Sequence, residues 1–125
     1  MQLFIDEAHE YNFHKILSNF EEKEVNIYLK SFVFVISSNF EFTKNIDLII
    51  DSNNNTLLFD NMFTQPYLTG ATKSLLLIAF TLYTDSSYVD IEGEKVELSI
   101  HKIFKSLDYR DFAVAINAIK YRYDK

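Results

Sequence analysis

Three histidines, His9, His14 and His101, and eighteen carboxylates are the side chains of this sequence best suited to chemistry. Two histidines four apart on a helix can clamp a metal. His9 and His14 are five apart, about 500° around a helix axis, and so point to different faces. His101 is remote in sequence. The chain has no cysteine, which excludes thiolate zinc sites, iron–sulfur clusters and thiol nucleophiles. With two glycines it cannot build a Gly-x-Ser-x-Gly elbow or a glycine-rich phosphate loop. Carboxylate pairs such as Glu21/Glu22 and Glu92/Glu94 lie in polar runs, away from the apolar surroundings that turn a carboxyl into a general acid. The expectation is a protein that binds rather than catalyses, with no metal and no cofactor.

Asp6-Glu7-Ala8-His9 spells the DEAH box of helicases, but that box works beside a GxxxxGK[ST] loop, which this sequence lacks. The same letters read better as helix chemistry. Asp6 is an N-cap, Glu7 and Glu10 are first-turn acids favoured by the helix dipole, and His9 faces inward.

Two segments remain as candidate binding surfaces. Between Asp85 and Glu97 stand five acids (Asp85, Asp90, Glu92, Glu94 and Glu97) and one lysine, alternating with Tyr88, Val89, Ile91 and Val96. Such a patch can engage a basic groove, including the nucleic-acid channel of another protein, by imitating phosphate spacing. A solvated hairpin face is the simpler account of the same residues. Lys120-Tyr-Arg-Tyr-Asp-Lys125 places basic residues in a last helical turn, where the dipole favours them, and Tyr and Arg are also common interface anchors. The net charge of −6, from 18 acidic against 12 basic residues, argues against direct binding to nucleic acid and for solubility or a basic protein partner.

These residues need elements to hold them. At 125 residues, without disulfides but with twelve Phe and eight Tyr, the chain has the material for one core and one domain, 1–125. Two Gly and one Pro suit a few longer elements rather than many tight turns. His9, Phe13, Ile16, Leu17 and Phe20 share a face of a helix over about 6–19. Residues 24–50 are ambiguous. Val25, Leu29, Phe32, Val33 and Ile36 take helical spacing, while Ser31-Phe-Val-Phe-Val-Ile36 is rich in strand formers and Phe40 and Phe42 alternate with polar residues. Ile46–Ile50 and Thr56–Phe59 flank an asparagine-rich turn and could pair. Residues 69–84, capped by Thr69 or Thr72, are apolar nearly all round, as expected of a buried central helix. Tyr88–Ile91 and Lys95–Leu98 flank Glu92-Gly93-Glu94 as a small β-hairpin near 88–98. Ile100, Ile103, Phe104 and Leu107 take helical spacing. Asp108 caps a last helix carrying Phe112, Ala115, Ile116, Ile119 and Tyr123 on one face. The apolar start is followed at once by Asp6 and Glu7 and does not read as a signal peptide. Leu75–Leu82 is too short to span a bilayer. A cytoplasmic protein is expected.

Three stretches together carry a family resemblance. They are Phe4-Ile-Asp-Glu-Ala-His9 leading into Phe13 and Leu17; Pro66-Tyr-Leu-Thr69 followed by Ser74-Leu-Leu-Leu-Ile-Ala-Phe-Thr-Leu-Tyr83; and Phe104-Lys-Ser-Leu-Asp108 followed by Phe112-Ala-Val-Ala-Ile-Asn-Ala-Ile119 and Arg122. In this order they resemble a family of short uncharacterised proteins, a domain of unknown function, from low-GC Gram-positive bacteria and their phages. The resemblance implies a mainly α fold of about five helices around the central helix, and inclines residues 24–50 toward helices. It implies no catalytic residue. It also implies a phage or prophage setting, where small acidic proteins inhibit or modulate host proteins, including defence nucleases such as those of CRISPR–Cas systems. Two other readings stay open: a nucleotide-sequestering protein with aromatic stacking walls, and an immunity-type protein that self-associates as a homodimer through apolar residues left over from the core.

Overall fold

The computed structural model describes residues 3–124. Seven α-helices and two small antiparallel hairpins form one body, the mainly α architecture expected. Helix α1 (Glu7–Leu17) starts at Asp6, whose carboxylate accepts from the His9 amide at 2.8 Å. Its inward face holds His9, Phe13 and Ile16, with Phe20 following beyond the helix end.

Helix α2 (Ile27–Ile36) resolves the ambiguous region. Asn26 caps it by accepting from the Leu29 amide at 2.9 Å. The run from Phe32 to Ile36, rich in strand formers, is wholly buried as helix. Residues enriched in strands are tolerated in a helix that is enclosed on every side, because packing outweighs propensity. Helix α3 (Phe40–Lys44) follows a second asparagine cap, Asn39. Phe40 and Phe42, which alternate with polar residues in the manner of a strand, instead lie on opposite sides of this helix. Phe42 is fully buried, and Phe40 is 73% exposed.

Strands β1 (Ile50–Asp51) and β2 (Thr56–Leu57) do pair, Ile50 with Leu57 and Asp51 with Thr56. The turn between them ends at Asn55 in the left-handed conformation, φ 54°, which asparagine tolerates better than most residues. A short helix α4 (Phe59–Met62) leads to the long helix α5 (Gly70–Thr84). Thr69 and Thr72 close a reciprocal capping box at its start. Helix α5 is buried as expected, but it shares the centre with α2, against which it packs along its length. Strands β3 (Tyr88–Ile91) and β4 (Glu94–Glu97) form the second hairpin. The chain closes with α6 (Ile100–Ser106) and α7 (Tyr109–Tyr123), capped by Ser99 and Asp108. Five helices have seven or more residues, and α3 and α4 are the short additions.

Helix α7 divides the apolar face that its spacing describes. The face turned inward carries Asp111, Val114, Ala115 and Ala118. Of the residues that spacing places on one face, Ala115 is buried, while the larger Phe112, Ile119 and Tyr123 are exposed. Alanines and a valine let α7 lie close against α2 and α5, and the bulkier stripe is left on the flank.

Candidate protein-binding site

The acid-rich segment is the hairpin β3–β4. Its register pairs Tyr88 with Glu97, Val89 with Val96, Asp90 with Lys95 and Ile91 with Glu94. Side chains alternate between faces. Val89, Ile91 and Val96 therefore turn toward the body, and Val89 is buried. Tyr88, Asp90, Lys95 and Glu97 form the outer face. The amide of Leu98 donates to the Ser87 carbonyl at 2.7 Å and ties the base of the hairpin together.

The turn has two residues, Glu92 and Gly93, both with positive φ, 51° and 84°. This is the twist-matched geometry preferred in tight hairpins, and it favours Asn, Asp or Gly at both places. Gly93 fits. Glu92 is held in a conformation that a branched or long side chain occupies at a penalty.

The five candidate acids are thus divided by the fold. Asp90 and Glu97 share the outer face with Lys95, whose Nζ lies 3.7 Å from Glu97 and 4.5 Å from the centre of the Tyr88 ring. Glu92 is at the tip, and Glu94 lies on the other face at the exposed edge. Asp85 stands apart from the hairpin, at the end of α5. It ends α5 in the left-handed conformation, φ 61°, and accepts from Arg122 at 2.9 Å. Four acids within a short exposed ribbon form one negative end; they do not form a single evenly spaced row.

Arg122, a basic residue of the last turn and a candidate interface anchor by sequence, has a specific place inside the fold. Its Nε donates to the Leu82 carbonyl at 3.2 Å, and its guanidinium lies over Tyr28 at 4.3 Å and Tyr123 at 4.8 Å. One side chain therefore satisfies an end carbonyl of α5, pairs with its C-cap and stacks on α2 and α7.

The Asp6–His9 region is fully employed in structure. Burial holds the His9 imidazole below its usual pKa, opposed by its hydrogen bond to the Phe34 carbonyl. The amide of Ile5 donates to Nδ1 at 3.2 Å, so Nε2 carries the proton and donates to Phe34 at 2.7 Å. Phe4 and Phe34 meet the ring edge-on at 5.1 and 4.6 Å between centroids. Asp6 caps α1 and meets Arg110 at 3.4 Å. Its carboxyl is held low by the His9 amide, with Arg110 adding to this against the opposing effect of burial. A small cleft of about 140 Å³ beside them is lined in part by Asp6, His9, Arg110, Ser37 and Ser38. Both serine hydroxyls donate to carbonyls of α2, so these serines, like Asp6, His9 and Arg110, already bond within the chain. His14 and His101 are exposed and stand apart from it. Among the described residues no group of three or more His, Asp or Glu side chains is gathered for a metal. None of the described helices is long and apolar enough to cross a membrane.

The model of a family of unknown function (DUF6075) matches residues 1–125. The chain belongs to this family. No curated protein and no solved structure matches it. For this DUF6075 member, the three stretches that carried the resemblance lie where they join helices. His9 links α1 to α2, Thr69 starts α5, and Arg122 clamps α7 to the end of α5. They are framework residues. The acidic ribbon lies outside all three stretches.

Proposed function

We propose that this protein is a non-catalytic accessory protein that binds a basic surface of another protein through the β3–β4 hairpin. The observation that carries this reading is Glu92. It sits at the hairpin tip with φ 51°, where asparagine or glycine would relieve the backbone, so the acid stands there against local backbone preference. Strain of this kind is a reason to look for function at the site that holds it. Asp90 and Glu94 flank the tip, Glu97 stands at the base of the same ribbon, and all three are exposed; the net charge of −6 draws the molecule toward basic partners.

The setting proposed is the cytoplasm of a host cell, with a phage or prophage origin. The partner class is a host protein with a basic groove, of which a nucleic-acid-binding nuclease of a defence system such as CRISPR–Cas is the sharpest example. This last step rests on the family resemblance and on charge. Binding would block or redirect the partner by occupying its phosphate-binding surface.

The experiment is affinity capture from a host lysate containing active defence nucleases, comparing the wild type with a variant carrying Asp90→Asn, Glu92→Gln, Glu94→Gln and Glu97→Gln. A partner retained by the wild type at low salt and lost both from the variant and at high salt supports the reading. Equal capture by both proteins, or no specific partner in repeated trials, refutes it.

A further inference from the structure

The last helix leaves an apolar stripe uncovered. Tyr109, Phe112, Ile116, Ile119 and Tyr123 recur at intervals of three and four along α7, the spacing of a seam between two packed helices. Tyr109 is 92% exposed, Tyr123 55%, Phe112 44% and Ile119 38%. Beside the C-terminal half of the stripe lies an apolar groove of about 240 Å³, walled by Ile100 and Phe104 of α6 and by Ile119 and Tyr123, with Leu82 of α5 among its lining residues. Ile100 at its edge is itself 73% exposed. Phe104 meets Phe112 edge-on at 5.4 Å between centroids, and Phe112 is not among the groove's lining residues. One half of α7 thus carries a protruding tyrosine, and the other half borders a hole.

We infer that this face binds a second copy of the same chain, with the two α7 helices antiparallel about a two-fold axis near Ile116. The stripe is nearly palindromic about that residue. Antiparallel pairing sets Tyr109 level with Tyr123 of the partner subunit, and Phe112 within one residue, about 1.5 Å of helix rise, of Ile119 of the partner subunit. Each Tyr109 then reaches the groove of the other copy, the reciprocal contact that a two-fold interface requires. The three exposed aromatics offer roughly 400 Å² per copy at ~200 Å² for each full ring side chain. That is about half of the ~800 Å² each partner gives to a stable interface. Ile100, Ile119 and the groove walls supply more.

Charge permits the same pairing. Lys120 is exposed beside the stripe and falls level with the uncharged Phe112 of the partner subunit. The α6 wall carries His101, Lys102 and Lys105 and no acid. Asp108 of the partner subunit, at the start of its α7, arrives at that end level with the exposed Asp124, and the α6 cations offset these two acids. The surface is distinct from the acidic hairpin tip, so a dimer presents two such tips.

The test is sedimentation of the full chain over a wide concentration range, together with a cross-link. The wild type is expected to be a dimer, and Tyr109→Ala a monomer with unchanged circular dichroism. Because the chain has no cysteine, Ile116→Cys would carry the sole thiol, placed at the axis. Mild oxidation should convert it to a covalent dimer much faster than Lys23→Cys on the exposed turn Glu22–Glu24. A wild type that stays monomeric at every concentration overturns the inference and leaves the face to some other protein. Persistence of the dimer in Tyr109→Ala, or equal cross-linking at positions 116 and 23, overturns this interface.

Discussion

The imidazole Nε2 of His9 donates to the carbonyl of Phe34 at 2.7 Å across 25 positions of sequence. That carbonyl lies in the last turn of α2, where the helix ladder leaves acceptors without partners. A buried, neutral histidine therefore completes the end of the most enclosed helix while its own start is fixed by Asp6.

Replacing His9 by Ala should destabilise the fold by about 2–4 kcal/mol, since it removes a packed ring and leaves the Phe34 acceptor less satisfied. Denaturant titration of the two proteins measures this. A loss below about 0.5 kcal/mol would show that the ring is not a fastening.

The same residue gives a pH dependence. Its folded pKa lies below the ordinary 6.5 because burial disfavours the charged ring. The unfolded chain therefore takes up the proton more readily, and stability falls as pH drops below 6.5 toward the folded value. Above 6.5 this contribution is fully present. In His9→Gln, less stable throughout, the slope in that window should flatten. An unchanged slope would assign the dependence to other groups.

Arg122→Lys should cost about 1–2 kcal/mol despite keeping the charge. Lysine cannot donate to Leu82 and Asp85 in a planar fork while stacking on Tyr28. The Arg122 side chain is only 11% exposed, and Asp85 is 53% exposed, so the ion pair is the smaller part. A double-mutant cycle with Asp85→Asn should return a coupling under about 1 kcal/mol. A coupling that accounts for the whole loss would contradict this division.

Asp111 is buried at the start of α7, and burial together with the nearby Asp108 raises its carboxyl pKa, only partly offset by Arg110. A raised folded pKa means that its stabilising contribution is present at low pH and lost as pH rises through the folded value. Asp111→Asn should therefore be neutral or stabilising at neutral pH, by less than about 1 kcal/mol, and should lose that advantage in acid. Thermal melts at the two pH values check the sign. Clear destabilisation at neutral pH would mean that the charge is needed there.

At the hairpin tip, Glu92→Asn should stabilise the protein by up to about 1 kcal/mol by relieving the left-handed backbone. Gly93→Ala should destabilise it by a similar amount. Amide exchange across β3–β4 reports both. If Glu92→Asn also weakens partner capture, the acid is held there for binding; if capture is unaffected, the tip charge is dispensable.

Local signals carried much of this fold in the sequence itself. Asp6, Thr69 and Asp108 announce their helices because a cap needs only its own next three residues. Glu92-Gly93 announces a hairpin for the same reason, and the face of α1 follows from spacing alone. Packing had to decide the rest. Phe32–Ile36 is a helix because α5 and other elements enclose it, although its residues also suit a strand. Asp85 left the acidic patch once Arg122, 37 positions away, came to lie beside it. The stripe from Tyr109 to Tyr123 has the period of a core face, yet it lies outside because the narrower side of α7 allows closer approach to α2. Periodicity shows that a helix has an apolar face, but only the neighbours fix which face is covered.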